Sequence, residues 1–318
     1  MTTALHRQWP FYALLGAGAA LALHQACRRH PRRPPLQAPL QDKAIGTLRE
    51  LRLKVNGQDM HARVATGAGN AAGATATPVV LVHGLGVSGA YFIPMAQQLA
   101  REFDVYVPDL PGHGQSGTPA AAPDIPGLAQ ALIDWMDCAG IARARLVAHS
   151  MGCQVAVEAA LRHPGRIERL VLIAPVTDPA ARSALQQLGR LLVSSVFERP
   201  SLIPQVIKDY LRIGLRIVPE MRAMLAYPIE EKLPHLRVPA MLMRGARDAI
   251  VPQAWLDEAA MLLRAAPAVV LARWSHAVHY SAAAGVTQAI RPFLAGEAPG
   301  MAQLAPPGLQ GRLTCRRA

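Results

Sequence analysis

The stretch AHSMGC at residues 148–153 contains the strongest single indication of the fold. It lies between a short strand-like segment, Arg145–Ala148, and an alanine-rich segment, Gln154–His163, which predict a buried strand followed by a helix. Small residues two positions on either side of Ser150 permit a tight turn between these elements. Such a turn would raise the Ser150 hydroxyl above the sheet and point the first helix amides towards developing negative charge. Taken alone, the stretch also fits an ordinary serine at a helix N-terminus.

Outward from Ser150, strand-like and helix-like segments alternate from about residue 45 onwards. The strand-like segments are short and almost continuously apolar, which predicts an α/β fold with a mainly parallel sheet covered by helices on both faces. Asn56-Gly57, between the first two segments, predicts a hairpin turn. Besides the strand before Ser150, the predicted strands are Leu51–Val55, Met60–Val64, Val79–Val82, Val105–Pro108, Leu170–Ile173, Ala240–Met243 and Val269–Leu271.

Two further polar motifs follow predicted strands, at the edge of a parallel sheet where functional side chains collect. RGARDAIVP places Asp248 after one strand, and RWSHAVHYS places His276 after the last. A serine nucleophile needs a general base, and a histidine base needs an orienting acid. The chain order Ser150, Asp248, His276 agrees with the order expected when the serine stands at a strand-to-helix turn. These three residues are therefore the candidate catalytic residues.

Together with HGLG at 83–86 and DLPGHGQS at 109–116, these motifs resemble those of a serine hydrolase of the α/β-hydrolase fold superfamily, of the esterase or lipase kind. The resemblance covers about residues 45–297 and is specific for the fold and the catalytic residues rather than for the substrate. It implies a mostly parallel central sheet with helices on both faces and a helical cap inserted before the acid-bearing strand. The chain departs from the G-x-S-x-G pattern at Ala148, and because that position requires small size, the expected cost is modest.

The resemblance also implies which backbone groups would stabilise negative charge. The amides of Leu85 and Met151 would form the oxyanion hole beside Ser150, Asp248 and His276. One such donor contributes about 10²–10³-fold to the rate in comparable sites. The resemblance implies neither a metal nor an organic cofactor.

Two alternatives stand beside this assignment. His279 follows His276 by three residues and could serve as the base, but His276 comes directly after the strand, where the family has its histidine. Asp178, in APVTDP after the preceding strand, could supply the acid, but Asp248 stands in the more typical G-x-x-D context. We therefore favour His276 and Asp248, and we expect His279 to be a neighbouring residue of the site.

The chain divides into four predicted parts. They are an N-terminal apolar segment and Pro/Arg-rich linker at 1–41, the α/β-hydrolase core at 42–177 and 237–297, the helical cap at 178–236, and a flexible C-terminal tail at 298–318. Residues 181–237, which span the cap, hold nine basic and five acidic side chains besides leucines at helical spacing. An apolar cap with a basic exterior suits a lipophilic ester, and it would also suit a surface next to a membrane.

The formal net charge of +12 on 318 residues lies mainly at the two ends. Residues 1–41 hold five arginines and no acid, and residues 298–318 hold three arginines and no acid. A nucleic-acid-binding protein carries basic residues on a folded face with aromatics between them, but aromatics make up only 5% here, so no nucleic-acid partner is predicted. A hydrophobic content of 51% excludes disorder throughout, and four scattered cysteines without ligand spacing predict no metal site.

An apolar run, Trp9–Leu23, precedes the arginine-rich cluster RRHPRRPP. Its 15 residues are fewer than a membrane span usually needs. We expect an anchor or interfacial helix within residues 9–27, with the catalytic domain at the inner membrane on the cytoplasmic side, because clustered arginines stay in the cytoplasm. The alternatives are a cleaved signal peptide with an exported protein, and a soluble cytoplasmic protein.

The predicted activity is hydrolysis of a carboxylic ester or thioester through an acyl-enzyme, on a lipophilic small molecule and without a cofactor. The same catalytic groups would also serve a C–C bond hydrolase, a haloperoxidase-like enzyme or an acyltransferase. A non-catalytic ligand-binding protein of this fold is the alternative from another class, although such proteins usually lose a catalytic residue. The sequence does not indicate an oligomeric state.

Overall fold

A computed structural model of the chain describes residues 48–67, 77–264 and 266–297. The anchor predicted within residues 9–27 and the tail predicted at 298–318 lie outside these ranges. Within the described ranges, no helix combines the length and the apolar character needed to cross a membrane.

One sheet forms the centre of the described structure. In chain order its strands are β1 (Arg49–Val55), β2 (Gln58–Ala65), β3 (Val79–Val82), β4 (Val105–Pro108), β5 (Ala144–His149), β6 (Ile167–Ile173), β7 (Ala240–Gly245) and β8 (Ala268–Leu271). Across the sheet the order is β1-β2-β4-β3-β5-β6-β7-β8. β1 pairs antiparallel with β2 and β2 with β4, whereas the other neighbouring strands pair in parallel. The predicted mostly parallel sheet is therefore confirmed.

The hairpin of β1 and β2 has the turn that Asn56-Gly57 predicted. Both turn residues have positive φ, 48° at Asn56 and 81° at Gly57, as a two-residue type I′ turn requires. The register pairs Val55 with Gln58 next to the turn. This hairpin forms one edge of the sheet, so the parallel strands that precede the polar motifs lie in its centre and at its other edge.

Helices cover the sheet on both faces. In chain order the α-helices of the described residues are α1 (Ile93–Leu99), α2 (Ile125–Cys138), α3 (Met151–Arg162), α4 (Ala184–Ser195), α5 (Ile203–Ile213), α6 (Ile217–Ala226), α7 (Ile229–Lys232), α8 (Gln253–Leu262), α9 (Val278–Ser281) and α10 (Ala283–Ala295). α2 packs against α3, and α1 packs against α10. β3 is buried along its whole length and β5 at all but one position, because helices exclude water from both faces.

Residues 178–236 lie between β6 and β7, and we call them the helical insertion. They contain α4 to α7, joined by short 3₁₀ turns. A capping box begins α4, because Ser183 Oγ accepts a hydrogen bond from the Gln186 amide while Gln186 Oε1 accepts one from the Ser183 amide, each at 3.2 Å. The insertion precedes the strand that leads to Asp248, as predicted. Its boundaries as a separate cap domain stay a prediction.

Candidate active site

Ser150 stands at the turn between β5 and α3. Its backbone has φ 56° and ψ −126°, a conformation that residues other than glycine rarely adopt. Because the turn consists of Ser150 alone, β5 ends at His149 and α3 begins at Met151, three residues before the predicted helix start at Gln154. The strained turn places Ser150 at the carboxyl end of β5.

Small residues around Ser150 make this turn sterically possible. A Cβ atom at Gly152 would lie 2.4 Å from the Val82 carbonyl oxygen, and one at Gly84 would lie 2.9 Å from Ser150 Cβ. Both distances are shorter than van der Waals contact, so a side chain at either position would displace the turn or its neighbour. Ala148, which replaces the usual glycine, is fully buried in β5, and its methyl group is packed within the core.

Asp248 and His276 contact each other directly. Asp248 Oδ2 lies 2.9 Å from His276 Nδ1, and Asp248 Oδ1 accepts hydrogen bonds from the amides of Ile250 at 2.9 Å and Val251 at 3.1 Å. An ionised carboxylate can only accept, so Nδ1 of His276 is the donor. In the neutral ring, Nε2 then keeps the lone pair that a general base needs.

The loops that carry Asp248 and His276 pack closely because of a glycine. A Cβ atom at Gly245, the last residue of β7, would lie 2.3 Å from the carbonyl oxygens of Trp274 and Ser275. The amide of Arg247 donates to the same Trp274 oxygen at 2.8 Å. The absence of a side chain at Gly245 therefore allows the two loops to approach closely enough for the acid and the base to form a hydrogen bond.

The surroundings of His276 favour its protonated form. Burial disfavours the imidazolium, but the charge and the hydrogen bond of Asp248, together with the charge of Glu198, outweigh burial and raise the pKa of His276 above its ordinary value. A raised pKa makes the imidazole a stronger proton acceptor, which suits the abstraction of a proton from a hydroxyl group.

Ser150 and His276 line the same cavity, which has a volume of about 650 Å³ and lies between the strand ends and the helical insertion. This shared cavity connects the serine with the histidine. The helical insertion supplies much of the apolar lining, which includes Leu188, Leu191, Val206, Ile217, Met221 and Met224. Within the described residues, no group of three or more His, Cys, Asp or Glu side chains is placed to hold a metal ion.

A larger cavity of about 860 Å³ lies beside the first residues of β7 and next to β8, at the amino ends of these strands. Its polar lining includes Arg169, Arg237 and Glu297. It contains none of the candidate catalytic residues, so we place the candidate active site in the smaller cavity.

Of the two residues predicted to supply the oxyanion-hole amides, Met151 follows Ser150 in the chain and Leu85 lines the same cavity as Ser150. Met151 is the first residue of α3, where a backbone N–H has no acceptor within the helix. Leu85 lines the cavity between two glycines with engaged amides: Gly84 donates to the Tyr91 hydroxyl at 2.8 Å and Gly86 donates to His113 at 3.3 Å. This arrangement fits the predicted roles of Leu85 and Met151.

Asp178, the alternative acid, is paired with a residue other than His276. Asp178 Oδ2 pairs with Arg190 at 2.6 Å, and Asp178 Oδ1 accepts from the Ala180 amide at 2.9 Å. Its carboxylate is thus used to hold the beginning of the helical insertion. The geometry favours Asp248 over Asp178 as the acid.

The alternative base is surrounded by rings. His279 is fully buried, and its ring centroid lies 4.3 Å from Tyr91, 4.4 Å from Phe92 and 4.2 Å from His149. Burial and the nearby His276 lower its pKa, so its ring stays neutral. His279 therefore packs behind the site, whereas His276 faces the cavity.

A bridge of polar groups, centred on Tyr91, joins three loops of the site. The Tyr91 hydroxyl accepts from the Gly84 amide and donates to His149 Nδ1 at 2.8 Å. His149 Nε2 then donates to the His276 carbonyl oxygen at 3.0 Å. Sequence reasoning missed Tyr91, because nothing in the sequence indicates which backbone amide a tyrosine hydroxyl will reach.

Two polar side chains of the helical insertion hold the loops of the acid and the base. Ser194 Oγ accepts from the amide of Ala249, the residue after Asp248, at 2.9 Å. Glu198 Oε1 accepts from the amide of Ala277, the residue after the candidate base, at 2.8 Å. Both contacts join residues about 55 to 80 positions apart in the chain, so no sequence motif indicated them.

Comparison with known proteins places this geometry in a family. Residues 77–202 match the family model described as alpha/beta hydrolase fold. The chain is 30% identical over 234 residues to a pimeloyl-[acyl-carrier protein] methyl ester esterase from Chromobacterium violaceum, covering 63% of this chain and 86% of that relative.

Two further proteins resemble the chain, which covers a different share of the length of each. The chain is 30% identical over 238 residues to the dihydrolipoyllysine-residue acetyltransferase component of an acetoin cleaving system from Pseudomonas putida, but it spans only 63% of that relative's length. The solved enol-lactonase from Burkholderia xenovorans LB400 superimposes with a TM-score of 0.65 at 26% identity, covering 77% of this chain and 100% of the lactonase. On these matches and on its sheet topology, the chain belongs to the α/β-hydrolase fold superfamily.

Proposed function

We propose that the protein is a serine hydrolase that cleaves a carboxylic ester or thioester through an acyl-enzyme on Ser150. The observation that carries this proposal is the 2.9 Å contact between Asp248 and His276 at the cavity that Ser150 also lines. Relatives named as a methyl ester esterase and an enol-lactonase support ester hydrolysis as the reaction class. Because the resemblance to the acetyltransferase component covers less than two thirds of that protein, it supports acyl transfer less strongly.

In the first half of the reaction, Ser150 Oγ attacks the substrate carbonyl carbon while His276 Nε2 takes the hydroxyl proton. The carbonyl oxygen becomes an oxyanion that accepts hydrogen bonds from the amides of Leu85 and Met151. The C–O or C–S bond then breaks, and the leaving alcohol or thiol receives the proton from the imidazolium. Asp248 holds the ring and stabilises its charge throughout.

In the second half, a water molecule attacks the acyl-enzyme carbonyl carbon. His276 takes a proton from this water and then returns it to Ser150 Oγ as the acid is released. The overall reaction consumes one water molecule and yields a carboxylic acid and an alcohol or thiol. The protein groups named here account for every proton that moves.

We further propose that the helical insertion acts as a cap and that the substrate is lipophilic. The cavity wall formed by the insertion is mainly apolar, and Val206, Met221 and Met224 are among its side chains. Such a wall favours an acyl chain over a charged group, because burying an unpaired charge is costly. Rates on p-nitrophenyl esters of increasing acyl length should rise with chain length, and a preference for short, charged esters would contradict this part.

Labelling by a fluorophosphonate probe tests the proposed nucleophile. We expect the wild-type protein to be labelled and Ser150→Ala to lose labelling, with an activity loss of about 10⁴-fold or more. Ser195→Ala is the matched control, because Ser195 lines the same cavity and should leave labelling intact. A folded wild-type protein that is not labelled would support the non-catalytic ligand-binding alternative.

A further inference from the structure

The outer face of the helical insertion exposes an unusual amount of apolar surface. Ten of the eleven large hydrophobic side chains that are exposed in the described residues lie between positions 185 and 215. Leu192 is 62% exposed and Val196 is 76% exposed, although folded proteins normally bury such side chains. An apolar area of this kind, concentrated on one segment, indicates an interaction surface.

These exposed side chains form a continuous surface with the cavity mouth. Leu185, Leu188 and Leu192 recur at helical spacing on one side of α4. Ile203 and Ile207 line the active-site cavity and also a shallow groove on α5, so they connect the two. The apolar surface therefore reaches from α4 across the cavity mouth to the outside of α5.

Acidic and basic side chains between positions 184 and 216 point in different directions. Its acids face the core: Asp209 accepts from the Ser88 amide at 2.9 Å and from the Ser88 hydroxyl at 2.8 Å, and Glu198 accepts from the Ala277 amide. These two are the only acidic residues between positions 184 and 216, and neither of them is exposed. The exposed ionised side chains of that stretch are all cationic, namely Arg199, Lys208 and Arg212.

We propose that this face, which we call the outer surface of the insertion, docks on an anionic lipid bilayer. Apolar side chains enter the acyl region while the flanking cations contact the acidic head groups. If the proposed function holds, a lipophilic substrate would then pass from the bilayer into the adjoining cavity without crossing water.

Charge argues against the other occupants of this surface. A second copy of the chain would bring Arg199, Lys208 and Arg212 against the same cations. The N-terminal residues 1–41 are apolar in part but carry five arginines and no acid, so they would meet the same repulsion. A soluble acidic protein would match the cations but would not require ten exposed apolar side chains.

Sedimentation with vesicles tests the proposal. The full chain carrying Ser150→Ala, which cannot consume lipid, would be mixed with vesicles of phosphatidylcholine alone or with phosphatidylglycerol added. We expect stronger binding to the anionic vesicles. Lys208→Glu with Arg212→Glu should weaken that binding about 25-fold or more, at about fivefold for each cation lost.

A second variant examines the apolar part. Leu185→Gln with Leu192→Gln should weaken binding about tenfold or more, because two leucines no longer enter the acyl region. Met261→Gln is the matched control, because Met261 is 65% exposed on α8, outside the insertion, and its loss should change nothing.

Two outcomes would overturn the proposal. If both double variants bind vesicles like the parent, also after Leu14→Gln with Leu15→Gln has interrupted the apolar run at 9–23, the outer surface is not the docking site. If only the charge variant is weakened, the surface recognises acidic groups without entering a bilayer, as it would on a soluble acidic protein. The same substitutions in the Ser150-containing chain should leave phosphonate labelling unchanged, which reports folding and separates this proposal from the proposed function.

Discussion

Helices α3 and α4 differ in how many of their residues are buried and in whether those residues are apolar or polar. Ten of the twelve residues of α3 are buried, and most of them are apolar. Only two of the twelve residues of α4 are buried, and both are polar, Gln187 and Ser194. α3 is held by the hydrophobic effect between the sheet and α2. The two buried side chains of α4 are held by hydrogen bonds instead: Gln187 donates to the Ala181 carbonyl oxygen within the insertion, and Ser194 accepts from the Ala249 amide in the loop of the acid.

This difference in burial indicates that the core and the helical insertion contribute to the candidate site in different ways. The core positions Ser150, Asp248 and His276 through close packing, which tolerates little change. The helical insertion forms the cavity wall and contacts the loops of the acid and the base through single polar groups. We therefore expect core substitutions at the site to reduce the chemical step strongly, and insertion substitutions to change it weakly.

After Ser150→Ala, the largest expected effect is that of Asp248→Asn. Asparagine would no longer hold the required tautomer of His276 or stabilise its charge, and comparable sites lose about 10⁴-fold in kcat. Asp178→Asn is the control, because Asp178 pairs with Arg190 instead. Equal losses in both variants would contradict the assignment of the acid.

The pH dependence of kcat/KM tests the role of Asp248 a second time, because it should change in a defined direction. His276 acts as a base only when neutral, so activity should fall as pH drops through its raised pKa, at a pH above the ordinary histidine value of 6.5. Without the Asp248 charge the pKa falls, and the acid limb of the profile should move to lower pH. An acid limb that stays in place would show that Asp248 does not act on the base.

A smaller effect is expected for Gly84→Ala. The added Cβ would lie 2.9 Å from Ser150 Cβ and 3.4 Å from its hydroxyl oxygen, so the nucleophile must shift. Misplacement of a reacting group by about 1 Å costs about 100-fold in rate. Gly189→Ala on α4 is the control, since a Cβ there meets nothing within 4 Å. A Gly84→Ala enzyme with unchanged kcat would show that the close packing around Ser150 does not matter.

The smallest expected effect is that of Glu198→Gln in the helical insertion. Glutamine can still accept from the Ala277 amide, but it removes a negative charge that raises the pKa of His276. We expect kcat to change only a few-fold and the acid limb of kcat/KM to move slightly to lower pH. Glu231→Gln, at an exposed position of the insertion, should change neither. A loss as large as that of Asp248→Asn would contradict the division of tasks between core and insertion.

The fold and the candidate residues could be predicted from the sequence. Alternation of apolar strands and helices predicted the parallel sheet, and a parallel sheet brings its carboxyl strand ends to one edge. Ser150, Asp248 and His276 each follow such a strand and lie in the expected order along the chain. The choice against the alternatives Asp178 and His279 rested on the resemblance to the family. The anchor predicted within residues 9–27 lies outside the described structure and stays a prediction.

The contacts that hold these residues in place could not be predicted from the sequence and become visible only in the folded protein. The close approach at Gly245, the Tyr91 hydroxyl that joins Gly84 to His149, and the contact of Glu198 with the loop of His276 all link distant parts of the chain. Nor could the exposure of the apolar face of the insertion be predicted, because its leucines have the same helical spacing as core leucines. Periodicity shows which residues share a face, but only packing shows whether another part of the protein covers it.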